Sequence, residues 1–176
     1  AGVDTMKRPE KSLRMYLAGM AFFGLLVVLD QFTKYAAETY LKGIGTKPVI
    51  PGVFELFYLQ NRGAAFGILA NRQWVFVMIA LAMVAVAIYV YVYLPVTLHF
   101  RAMRICTVLI AAGAAGNMID RLLRRYVIDF LYVSLIDFPV FNVADCYVVV
   151  GALLLIVLIF TLYRNDNFEC LNPGKE

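Results

Sequence analysis

Charge is scarce in this chain. Of its 176 residues only 16% are charged, while 62% are hydrophobic, against about 25% and about 45–50% in soluble domains. That balance excludes an ordinary water-soluble globule, and the length suits one domain built for a lipid solvent. Cysteine is scarce too. Cys106, Cys146 and Cys170 match neither a metal-ligand spacing nor a disulfide framework. Two of them lie in apolar runs, where a free thiol behaves as a small hydrophobe. The single histidine, His99, sits in a short basic loop and leaves a zinc peptidase without its ligands. Gly-x-Ser-x-Gly, His-Glu-x-x-His and Gly-x-Gly-Asp do not occur. Ser134 is the only serine expected on the outer face and has no lysine close in sequence, which argues against a Ser-Lys peptidase. The formal charge of +4 reads as attraction of basic flanks to anionic head groups. There is no recognition helix or stacking platform for nucleic acid.

Uncharged apolar sequence, by contrast, is plentiful. A membrane helix needs about 20 mostly apolar residues. Met15 to Leu29 is uncharged, with its pattern running on through Asp30 to about Ala37; Trp74 to Leu94, Ile105 to Ile119 (ending on Asp120-Arg121) and Cys146 to Tyr163 are uncharged too, and the four read as spans. None alternates in polarity as barrel strands do, and backbone groups in lipid must be satisfied internally. The expected class is therefore a membrane all-α fold of four helices. The first run lacks an Ala-x-Ala cleavage site and reads as an uncleaved helix. Ala1 to Thr5 read as a tag remnant. The expected divisions are 1–14 as remnant plus basic cytoplasmic tail, 15–164 as one membrane domain, and 165–176 as a cytoplasmic tail.

Orientation is set by the Lys/Arg bias. Lys7, Arg8, Lys11, Arg14, Arg101, Arg104, Arg164 and Lys175 fall on one side. Lys42, Lys47, Arg62, Arg72, Arg124 and Arg125 fall on the other, with Lys34 and Arg121 at the boundary. The count ties, so the N-terminal cluster decides, and both termini are expected in the cytoplasm. Two segments then lie outside. Val53 to Leu59 is β-branched and aromatic and predicts strands of a small surface sheet. Leu122 to Phe141, with Val127-Ile128-Asp129-Phe130 and Asp137 to Phe141, predicts a short strand or interfacial segment.

Ionisable residues inside membrane helices are expensive, so each is a functional candidate. Asp30 and Lys34 are four apart and share a helix face; a plain interfacial salt bridge explains them about as well. Asn61-Arg62-Gly63-Ala64-Ala65-Phe66-Gly67 reads as a tight loop, in which Asn61 offers an amide to a peptide backbone. Asn117 and Arg121 also share a face, whereas Gly113 and Gly116 suit close helix packing. Asn142 and Asp145 look like an ordinary helix start. Topology changes that last reading. Asp129 follows the outer end of span three and Asp145 opens the outer end of span four, so both carboxylates reach one membrane depth. Such a pair keeps one proton between them, which suits hydrolysis of a peptide by an activated water. Asp120 reads as orienting Arg121 or capping span three.

The motifs resemble those of the lipoprotein signal peptidases, or signal peptidase II, from Met15 to Arg164. They are Asp30-Gln-x-Thr-Lys34; Asn61-x-Gly63-x-Ala65-Phe66; Gly116-Asn117-x-x-Asp120-Arg121 with Val127-x-Asp129-Phe130; and Phe141-Asn142-x-Ala144-Asp145. The resemblance implies an aspartyl endopeptidase with Asp129 and Asp145 as catalytic dyad. It implies that Asp30, Lys34, Asn61, Gly113, Asn117, Arg121 and Asn142 bind substrate or support the site. It implies no metal or organic cofactor. The implied substrate is a diacylglyceryl-modified bacterial prolipoprotein, cut just before its lipidated cysteine, and the implied inhibitors are globomycin-type peptides. The expected setting is the phospholipid bilayer of the bacterial inner membrane, as a monomer, with the site near the outer leaflet. Two other classes compete. A proton channel or transporter would also use membrane carboxylates, but no internal repeat is visible. An assembly subunit would tolerate Asp→Asn at both positions.

Overall fold

The computed structural model describes residues 13–63, 72–166 and 168–171. Ala1 to Thr5, the basic residues Lys7, Arg8, Lys11 and Lys175, and the motif residues Ala64 to Gly67 lie outside them. Four helices carry the described chain: α1 (Leu13–Tyr40), α2 (Gln73–Tyr93), α3 (Arg101–Arg124) and α4 (Val143–Phe160). All four are long and apolar enough to cross a membrane. Three strands, β1 (Thr46–Ile50), β2 (Phe54–Asn61) and β3 (Val127–Tyr132), complete the fold.

The helices do not share burial equally. In α3, 61% of the most apolar stretch is buried, against 11–17% in the other three. α3 is the central helix, contacted by α1, α2 and α4. Its sequence explains this. Ala111, Ala112, Gly113, Ala114, Ala115 and Gly116 are all buried, and small residues let backbones approach closely where no hydrophobic effect drives helices together. A side chain at Gly113 would strike the Ala144 carbonyl of α4, and one at Gly116 would strike the Asp30 carboxylate of α1. The outer helices instead expose Leu, Ile, Val and Phe, as lipid-facing surfaces do.

Helix ends depart from the sequence expectation. α3 does not stop at Asp120 but runs on to Arg124. The acid is fully buried and ion-paired, so its charge does not end the helix. The turn comes at Arg125, whose left-handed φ of 66° sends the chain straight into β3.

The sheet is antiparallel in the order β1-β2-β3. β2 matches the expected strand, displaced by a residue or two. β1 was not expected; it is an edge strand, which is where its Pro48, lacking an N–H, is tolerated. Register sets Asn61 opposite Val127 and Leu59 opposite Asp129. Ala37, Leu41, Ile128 and Phe130 form a buried cluster that fastens the sheet to α1. The stretch from Asp137 to Phe141 adds only a single bridge, Leu131 to Phe141. There the Phe130 and Leu131 amides both donate to the Phe141 carbonyl, at 2.9 and 2.8 Å, and the Phe141 amide donates back to Leu131. That bridge closes the excursion between β3 and α4 and lands Asn142 beside Asp129.

Candidate active site

Asp129 and Asp145 reach one place from different elements. Asp129 comes from the middle of β3 and Asp145 from the first turn of α4. Both line a cavity of about 810 Å³, walled also by Asn61, Arg121, Phe141 and Val149. Its size is that of a ligand pocket.

Two carboxamides tie the two acids together, and a third holds Asp129. Asn142 Nδ2 donates to Asp129 Oδ1 at 2.6 Å and to Asn117 Oδ1 at 3.1 Å. Asn117 Nδ2 donates to Asp145 Oδ1 at 2.7 Å. Asn61 Nδ2 donates to the second oxygen of Asp129 at 2.8 Å, while its own oxygen accepts from the Gly63 amide. Every amide is thereby fixed in orientation, because its oxygen and nitrogen have different partners. The helix start foreseen for Asn142 and Asp145 is also present. The Asp145 amide donates to the Asn142 side chain and the Asn142 amide to Asp145 Oδ2, a capping box. Asp145 does both jobs with different oxygens.

Asp129 is 2% exposed. Burial, and then the neighbouring Asp145 carboxylate, push its carboxyl up to about 7, against the pull of the Asn61 and Asn142 amides. Both effects favour the protonated carboxyl at Asp129.

Beneath the carboxamides lies a charge cluster in which Asp30, Lys34 and Asp120 are fully buried. Lys34 Nζ meets Asp30 at 2.9 Å and Asp120 at 3.0 Å, and donates to Asn117 Oδ1 at 2.9 Å. Asp120 also pairs with Arg124 at 2.8 Å and accepts the Ile128 amide of β3. Asp30 Oδ1 accepts the Ala144 amide at the start of α4. The buried acids Asp30 and Asp120 are offset by buried Lys34 and by the partly exposed Arg124, which also approaches Glu38 at 3.9 Å. The cluster reaches α1, α3, β3 and α4. It is more than the interfacial salt bridge weighed for Asp30 and Lys34. Asp120 makes no bond to Arg121 and does not end the helix; it holds Lys34, Arg124 and β3. Arg124 had no place among the expected site residues, although its spacing of four from Asp120 was a usable signal.

Arg121 lines the cavity with its guanidinium over the Phe76 ring, 4.7 Å from the centroid. Its contacts to the Asn117 and Gly63 carbonyls are long, at 3.4 Å, and its Nε–H has no acceptor among the described residues. Gly113 stands apart from the cavity, packed on α4 at Ala144 and Val148. Gln31, another residue outside the expected set, braces the cluster by donating to Asp30, Asp120 and the Gly116 carbonyl.

A four-helix membrane bundle with a cross-linked pair of carboxylates at one end defines a narrow class of protein. A family model described as signal peptidase (SPase) II matches residues 22–161. The lipoprotein signal peptidases of Streptococcus pyogenes serotype M5 (strain Manfredo) and serotype M18 (strain MGAS8232) are each 43% identical over 137 residues, covering 77% of this chain and 88% of the relative. A bacterial membrane enzyme solved by the in meso method at 2.3 Å resolution superposes with a TM-score of 0.75 at 28% identity, over 92% of this chain and 97% of the other. A second, solved by the same method at 1.9 Å, gives 0.71 at 30% identity, over 82% and 93%. The chain belongs to the signal peptidase II family and is a multi-pass membrane protease.

Proposed function

We propose that this protease hydrolyses the peptide bond before a diacylglyceryl-modified cysteine in bacterial prolipoproteins, using Asp129 and Asp145 as an aspartyl dyad. The observation that carries this reading is the meeting of the two carboxylates in one cavity, cross-linked through Asn142 and Asn117. Asp129, pushed up to about 7, keeps the shared proton and polarises the scissile carbonyl. The partner carboxylate removes a proton from the attacking water. The proton then passes to the leaving amine, and the dyad returns to its starting state. Arg121, whose side chain lines the cavity, holds a substrate carbonyl. The edge of the sheet near Asn61 suits an extended peptide. The cavity is also walled by Val149 and Val150 of α4, whose exposure gives an apolar signal peptide a lateral route from lipid.

In this reading the enzyme works as a monomer in the bacterial inner membrane, with both termini in the cytoplasm and the dyad near the outer leaflet. Globomycin-type peptides would occupy the same cavity. The test is a gel-shift assay with purified diacylglyceryl-modified prolipoprotein. Asp129→Asn and Asp145→Asn should each lower turnover by at least about 10²-fold, with the fold intact by circular dichroism. Asp120→Asn should leave far more activity, since Asp120 faces Lys34 and Arg124 rather than the cavity. Full activity in either dyad variant overturns the assignment.

A further inference from the structure

The end of the bundle away from the dyad carries a second, unrelated feature. α1 and α2 both pack on α3 and leave a crevice between them. It has two adjoining parts, of about 380 and about 540 Å³, which share Gly19, Tyr91 and Val108. The inner part is almost purely apolar, walled by residues such as Met20, Phe23, Val84 and Ala111. The outer part ends on Thr97, Arg101 and Arg104. Tyr91 crosses between the parts. Its hydroxyl donates to the Met15 carbonyl at 2.8 Å, and only a glycine at position 19 leaves room for its ring.

Arg104 is the anomaly. It is 7% exposed, yet no carboxylate pairs with it among the described residues. Its Nη2 donates to the Leu94 and Pro95 carbonyls, and its Nε–H has no acceptor among the described residues. A buried cation without a counter-charge is costly. One turn away on the same helix, the exposed Arg101 also has no carboxylate partner among the described residues. An apolar slot that ends on two guanidiniums without a carboxylate partner among the described residues fits an amphiphile with an acyl tail and an anionic head.

We propose that this crevice is a binding site for an anionic glycerophospholipid, its phosphate on Arg101 and Arg104 and one acyl chain along α1, α2 and α3. The site is separate from the cavity that holds the dyad and does not depend on the catalytic reading. Phosphate recognition by guanidinium is charge-assisted and directional, and basic side chains at a membrane surface favour anionic lipids.

Native mass spectrometry of the detergent-purified full chain tests it, with phosphatidylglycerol and phosphatidylcholine of identical acyl composition. The wild type should retain phosphatidylglycerol with roughly tenfold preference. Arg101→Gln should lower that preference several-fold while prolipoprotein cleavage in detergent stays unchanged. Arg101→Gln/Arg104→Gln should abolish it, and Val84→Trp, which fills the tail slot, should weaken retention of both lipids. Because Arg104 also holds the α2–α3 connection, the single Arg101 variant keeps the test decisive if the double variant unfolds. Equal retention of the two lipids by the wild type, or a preference untouched by Arg101→Gln, overturns the proposal. So does displacement of bound lipid by a signal-peptide helix at equimolar concentration, which would make the crevice a peptide site.

Discussion

Asn61→Ala offers a direct reading of how the site sets its protonation. Asn61 Nδ2 donates to Asp129 Oδ2 at 2.8 Å, and that bond favours the ionised carboxylate. It thus opposes the burial and the Asp145 charge that together push Asp129 up to about 7. A hydrogen bond to a charged group contributes about 1.5–3 kcal/mol, and each pKa unit corresponds to about 1.4 kcal/mol. Removing the donor should therefore raise the upper apparent pKa of the pair by about 1 to 2 units. If the active enzyme holds one proton on the dyad, activity falls at alkaline pH as that proton leaves, so the alkaline limb of kcat/KM should move from near 7 to between about 8 and 9. The measurement is kcat/KM against pH for wild type and Asn61→Ala, with a lipopeptide substrate that does not itself titrate in this range. The readout is the position of the limb rather than the absolute rate, because Asn61 also accepts the Gly63 amide. An unmoved alkaline limb, or one moved to lower pH, would refute the assignment of the shared proton to Asp129.

Two further outcomes concern stability. Lys34→Met removes the cation between Asp30 and Asp120. It should cost about 3–5 kcal/mol, read as a fall in thermal midpoint in detergent, with much of the loss restored in Lys34→Met/Asp30→Asn. Gly116→Ala forces a methyl group against the Asp30 carboxylate; it should cost about 1–3 kcal/mol and lower kcat more than it raises KM, because Asp30 anchors the start of α4 rather than substrate.

The four spans were legible because a lipid solvent demands long uncharged runs, a signal that needs no tertiary information. The pairing of Asp129 with Asp145 was legible from the antiparallel order of spans three and four, although Asp145 alone looked like a helix start. It proved to be a capping residue as well, so the local signature and the site were never alternatives. What the sequence concealed was collective. Lys34 and Asp120 are far apart in the chain, and no local pattern tells that α1 and α3 bring them within 3.0 Å. Without that partner, Asp120 looked like an end to its helix. β1 was hidden for a related reason: a fully exposed strand carrying Pro48 has neither alternation nor an apolar face to announce it.

The Leu131 to Phe141 bridge has an evolutionary reading. It pins both ends of the excursion between β3 and α4, so the number and kind of residues in between are uncoupled from the spacing of the two acids. Yet that same excursion contributes Ile136, Phe138 and Pro139 to the cavity wall. Loops pinned to a rigid scaffold are where variation is cheapest. On the proposed reading, substitutions at Ile136, Phe138 or Pro139 would reshape the cavity while Asp129 and Asp145 keep their positions.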